Sequence, residues 1–67
     1  MIDAKLLKYE ISKKNMTIAG VCADIGINKS TYHRKIKNDG FLLREVNKIT
    51  KLLDLPKDKA ADIFFNV

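Results

Sequence analysis

An all-α fold, a small bundle of about five short helices, follows from three features of the sequence. Apolar residues recur three and four positions apart, no useful length of chain alternates with period two, and Gly, Asn and Pro turn signals punctuate the periodic stretches. At 67 residues the chain holds one domain, 1–67, with one core. A domain this small buries roughly 60% of its unfolded surface, so its stability is modest. Hydrophobic residues make up 46% and charged residues 31%, an ordinary globular composition rather than a disordered one.

Asp3 is placed to cap a first helix over about residues 4 to 14, in which Leu7 and Ile11 share a face with Ala4. The run "KKN" supplies cations and a stop at its far end, and Met16 anchors the turn that follows. Thr17 caps a second helix in which Ile18, Val21, Cys22 and Ile25 fall on one face. Gly26 ends it, because glycine takes the left-handed conformation a helix C-terminus often needs. Gly20 in its interior costs about 1 kcal/mol relative to alanine, and the sequence offers no functional reason for it.

Asn28 caps a third helix over about 29–38, and the turn signal "NDG" closes it. In the fourth, about 43–54, Leu43, Val46, Ile49 and Leu53 lie close to one face with Leu52 beside them, while Arg44, Lys48 and Lys51 face water. Pro56 suits the first position of a short last helix that holds Asp58 early and Ile63, Phe64 and Phe65 late.

Charge and composition narrow the function. The longest apolar runs are three residues, far short of the roughly 20 that span a bilayer, and the N-terminus lacks a signal-peptide core, so a cytoplasmic protein is expected. With one cysteine and one histidine there is no intrachain disulfide and no Cys/His metal site, and no cofactor motif is present. Thirteen Lys and Arg against eight Asp and Glu give +5, a balance that favours polyanionic partners. The excess is local: Lys29, Arg34, Lys35 and Lys37 carry +4 between Gly26 and Asn38 without an acid, and the other 54 residues come out near neutral.

That cationic stretch, "NKSTYHRKIKN", follows "TIAGVCADI" after a glycine turn, which is helix-turn-helix spacing over about residues 17–38. At 100° per residue, Tyr32 and Ile36 lie roughly 40° apart and form a narrow buried edge. Ser30, Thr31, Arg34, Lys37 and Asn38 fall on the opposite side. A helix held by so narrow a stripe stands out from its domain and fits the major groove, about 12 Å wide. Arg and Lys bond guanine, Asn pairs with adenine, and Ser or Thr bonds either way.

Residues 5–65, and above all "MTIAGVCADIGINKSTYHRKIKNDGFLLREVNKITKLLDL", resemble the lambda-repressor-like helix-turn-helix proteins of the XRE class, especially short Cro- or repressor-type regulators of phages and prophages of Gram-positive bacteria. The resemblance implies a transcriptional regulator of a double-stranded DNA operator, with Lys29, Ser30 and Arg34 facing bases and His33 at the edge. It assigns phosphate contacts to Thr17, Asn28, Thr31, Lys35, Lys37 and Asn38. Two departures stand out: Ile18 occupies a position that is often a polar brace, and Lys35 occupies one that is usually apolar, its apolar role moving to Ile36.

Phe64 and Phe65 cannot both face one narrow core, so one is expected inside and the other free to join a homodimer through the last helix. Met1 and the closing "DIFFNV" favour a complete short gene. The alternative function is a protein-interaction module, an antirepressor or a partner of a larger regulator, on the same fold. An enzyme is disfavoured because no phosphate loop, nucleophile triad or carboxylate pair is recognisable, so no small-molecule substrate is expected. The basic helix has too narrow an apolar edge to bind a membrane surface.

Overall fold

Side chains fix the starts of the first three helices in a computed structural model that describes residues 1–65. Asp3 accepts the Leu6 N–H at 3.0 Å at the head of α1 (Ala4–Lys13), and Thr17 Oγ1 accepts the Gly20 N–H at 3.0 Å at the head of α2 (Ile18–Ile25). Asn28 Oδ1 accepts the Thr31 N–H at 2.8 Å at the head of α3 (Lys29–Asn38). Each bond satisfies one of the four N–H groups that a helix start leaves without an internal partner. A Cβ on Gly20 would sit 3.2 Å from Thr17 Oγ1, so glycine keeps the α2 cap uncrowded. This accounts for a residue that propensity alone disfavours.

The next two starts work differently. At α4 (Leu43–Leu52) the N-cap is Leu42, which has no side-chain acceptor, and Glu45 instead reaches back to take the Leu42 N–H at 2.8 Å. At α5 (Lys57–Phe64) Pro56 is the N-cap rather than the first helical residue. Left-handed residues end the preceding segments: Asn15 at φ 58°, Gly26 at 83°, Asp39 at 51° and Asp54 at 51°. Asp54, with the Leu55 N–H returning to the Thr50 carbonyl at 2.9 Å, stops α4 at Leu52, two residues earlier than the apolar pattern implied. No strand occurs among the described residues, and Asn66 and Val67 of the expected domain lie outside them.

α1 packs on α2 and α5, and α2 packs on α3 and α4, which puts α2 at the centre of the arrangement. Leu7 and Ile11 from α1, Val21 and Cys22 from α2, Ile49 from α4, Leu53 after it and Ile63 from α5 have almost no exposed surface. Burying each large aliphatic side chain contributes about 1.5–3 kcal/mol. The chain's start joins two ends of the fold, since the Ile2 N–H donates to Asp39 Oδ1 at 2.8 Å and the Asp3 N–H donates to the Ile63 carbonyl at 2.8 Å.

Three burial expectations fail. Ala4 is exposed, Ile18 is only half-buried, and Leu43, expected in the core, is 69% exposed. Leu43 is the first residue of α4, ahead of the turn that meets the core, and the inward position beside it belongs to Glu45. Glu10 is buried as well, with Lys13 Nζ at 3.2 Å and Lys59 Nζ at 3.9 Å from its carboxylate oxygens, and it thereby links α1 to α5.

Candidate nucleic-acid interface

The turn between α2 and α3 is three residues long, Gly26 to Asn28, and the backbone largely dictates its path. Gly26 and Ile27 both donate N–H groups to the Cys22 carbonyl, at 2.9 and 3.0 Å. Nothing lies within 4 Å of a Cβ built on Gly26, so its positive φ, not crowding, is what calls for glycine. Ile27 is half-buried against the core and Asn28 returns to extended geometry before capping α3.

Tyr32, 3% exposed, anchors α3, with Ile36 half-buried beside it. Its ring lies edge-on to Phe41 at 5.9 Å, and Phe41 lies edge-on to Phe64 at 5.9 Å, so one aromatic column runs from α3 to α5. Aromatic pairs of this geometry add about 0.5–1.5 kcal/mol each beyond burial. Burial pushes the Tyr32 hydroxyl up to about 12, with the nearby Cys22 adding to the effect. Burial likewise raises the Cys22 thiol, against the opposing field of Lys29, and both shifts mark an interior rather than a reactive surface.

Lys35 departs from its expected role at a phosphate. Its Nζ stands 2.8 Å from Glu45 Oε1 and 3.5 Å from the Gly40 carbonyl, with only 16% of its side chain and 8% of that of Glu45 exposed. The side chain is thus largely buried at a position whose apolar role was expected to pass to Ile36, and its charge is neutralised inside the fold. Burial would by itself raise the Glu45 carboxyl. The hydrogen bonds from Lys35 and the Leu42 N–H, with the fields of Lys35 and Arg44, outweigh that and hold it below its ordinary value. The pair ties α3 to the start of α4.

With Thr31, Tyr32, Lys35 and Ile36 turned inward to varying degree, the rotation of α3 is set. Ser30 and Lys37 lie at the centre of its outer face, and His33 and Arg34 flank them at about equal angles. Lys29, Ser30, His33, Arg34, Lys37 and Asn38 are all exposed, and no acid stands among them. The His33 ring sits 5.3 Å from that of Tyr32, edge-on, which holds it at the margin of the face. Thr31 is half-buried.

Lys29 faces differently from the rest. It lines a groove of about 370 Å³ with Lys8, Ser12, Met16, Thr17, Ile18 and Ala19, at the N-terminus of α2. Thr17 and Lys29, singled out from separate helices, therefore converge on one concavity, joined there by Lys8, which sequence spacing did not reveal. No group of three or more potential metal ligands occurs among the described residues. Comparison with known proteins finds no matching family model, no matching curated protein and no matching solved structure.

Proposed function

We propose that the chain is a sequence-specific DNA-binding regulator of the lambda-repressor-like helix-turn-helix class, with α2 as the supporting helix and α3 as the reading helix. The observation that carries this reading is the outer face of α3: Ser30, His33, Arg34, Lys37 and Asn38 are exposed together, without an acid, on a helix anchored by Tyr32 and Ile36. Arg34 has the fork geometry to take a guanine edge, and Ser30 lies at the centre of the same face. The Lys29, Thr17 and Lys8 concavity at the N-terminus of α2 suits a phosphate, where helix N–H groups and cations act together. Asn28, Lys37 and Asn38 extend that backbone track, while Thr31 drops out of it because it is half-buried on the inward side of α3, and Lys35 because Glu45 already neutralises it.

In this reading the chain works in the bacterial cytoplasm on an operator of phage or prophage type. Selection of bound duplexes from a random pool tests it. A defined consensus, bound with an affinity that falls steeply with salt, supports the proposal. Failure to enrich any duplex at low salt, with capture of a protein partner instead, would transfer support to an interaction module on the same fold.

A further inference from the structure

Residues 1 to 3 are held on several sides, and one of the holds falls on the end of α3. Asp3 accepts the Leu6 N–H at the head of α1, and its own N–H donates to the Ile63 carbonyl of α5 at 2.8 Å. Ile2 is buried, in a groove of about 320 Å³ that it shares with Phe41, the buried Phe64 and the exposed Phe65. From between these fixed points the Ile2 N–H donates to Asp39 Oδ1 at 2.8 Å, across 37 positions of sequence. The Met1 ammonium stands 3.8 Å from Asp39 Oδ2, but both groups are exposed, and such a pair contributes little.

The last turn of α3 has no apolar hold of its own. Tyr32, Lys35 and Ile36 fix the earlier turns, whereas Lys37, Asn38, Asp39 and Gly40 are all exposed. The helix closes with the Gly40 N–H on the Lys35 carbonyl at 2.9 Å and Asp39 left-handed at φ 51°. Charge does not account for an acid here. A helix C-terminus favours a cation, and an acid next to Lys37 and Asn38 repels the phosphates assigned to them. Glycine takes the left-handed conformation at least as readily. What Asp39 offers and glycine lacks is the acceptor for the Ile2 N–H.

We propose that Asp39 is a positioning residue. By accepting the Ile2 N–H it ties the last turn of α3 to the start of α1 and the end of α5, and so holds Lys37 and Asn38 in place for the DNA backbone without touching DNA itself. The effect on affinity rests on the DNA-binding reading, whereas the holding of α3 belongs to the fold alone.

A double-mutant cycle separates the acceptor from the charge. Asp39→Asn and Asp39→Gly are equally neutral and both suit a φ of 51°, but only asparagine keeps an oxygen for the Ile2 N–H. Chemical synthesis of the 67-residue chain with an ester in place of the Met1–Ile2 amide removes the donor and keeps the isoleucine side chain. Each chain is followed by hydrogen exchange at the Lys37 and Asn38 amides and by fluorescence anisotropy on a selected duplex, at a temperature where circular dichroism shows it fully folded. Exchange should be faster in Asp39→Gly than in Asp39→Asn, and the duplex bound about threefold to tenfold more weakly, the worth of one hydrogen bond. The ester should cause the same two losses in the Asp39→Asn chain and add little in the Asp39→Gly chain. Equal exchange in the two variants, or an ester effect that simply adds to that of Asp39→Gly, would overturn the positioning role. Altered exchange with equal affinity would overturn its part in binding, because a bond that only stabilises the fold lowers Tm and leaves the affinity of the folded chain unchanged. A wild-type chain that binds no duplex at low salt overturns the DNA-binding reading instead, and exchange then decides the positioning role by itself.

Discussion

Arg34 is the residue from which the DNA-binding proposal draws its sharpest expectation. It is exposed beside Ser30 on a face that no acid touches. Replacement with alanine should cost about 1–3 kcal/mol at the preferred site and relax discrimination at one base position, as measured by competition between matched and mismatched duplexes. Lys37→Ala should weaken binding of all sequences alike and make the salt dependence shallower, as a phosphate contact requires, and a site-specific loss would contradict that assignment. Tyr32 makes a separate residue-level prediction. Its hydroxyl is raised to about 12 in the fold, so the neutral form is the stabilised one. That contribution is whole below the unfolded tyrosine value near 10 and is lost as pH rises toward 12, which alkaline denaturation followed by tyrosine absorbance would register.

At the scale of elements, the Lys35–Glu45 pair fixes the rotation of α3 against α4. Glu45 is depressed in the fold, so its contribution is present above its ordinary 4.5 and is lost as pH falls through the lower folded value. Acid titration of the Glu45→Gln variant should therefore show less stability loss below that range than wild type. At neutral pH, Lys35→Met and Glu45→Gln should each destabilise the fold, since either change leaves the other largely buried charge without its partner, and combining the two should recover part of the loss. Chemical denaturation measures both. The starts of α1, α2 and α3 were legible because Asp3, Thr17 and Asn28 are the residue types whose short side chains cap helices. The α4 start was not, because its cap is supplied from Glu45 behind a leucine, a pattern outside the usual Ser/Thr-x-x-Glu signature. The inward turn of Lys35 was hidden for a related reason: an internal ion pair ten positions apart leaves no periodic trace. Leu43 was misplaced because periodicity assigns a face but does not say at which turn a helix meets the core.

At the scale of the molecule, α2 carries the fold and presents α3. It is the helix that packs on α1, α3 and α4. The buried set from Leu7 to Ile63 was mostly visible as three- and four-residue spacing, although the spacing could not say which apolar residues would remain outside. Ile49→Ala, at a fully buried position, should cost about 2–5 kcal/mol, a large fraction of the stability of so small a domain, and calorimetry should show a large drop in Tm. The charge distribution acts at this scale too. Glu10 and Glu45 are buried beside Lys13, Lys59 and Lys35, so the internal pairs remove charge of both signs and the excess of +5 stays with the outward surface.

The central claim, that the outer face of α3 reads DNA, is tested most directly by fluorescence anisotropy of the wild-type and Arg34→Ala chains on a selected duplex and a scrambled one, over a range of salt. The account predicts tight, steeply salt-dependent binding of the selected duplex by wild type. It also predicts a loss on Arg34→Ala that is larger for the selected than for the scrambled sequence. Equal affinities of wild type and Arg34→Ala for both duplexes, or no binding at low salt, would contradict it.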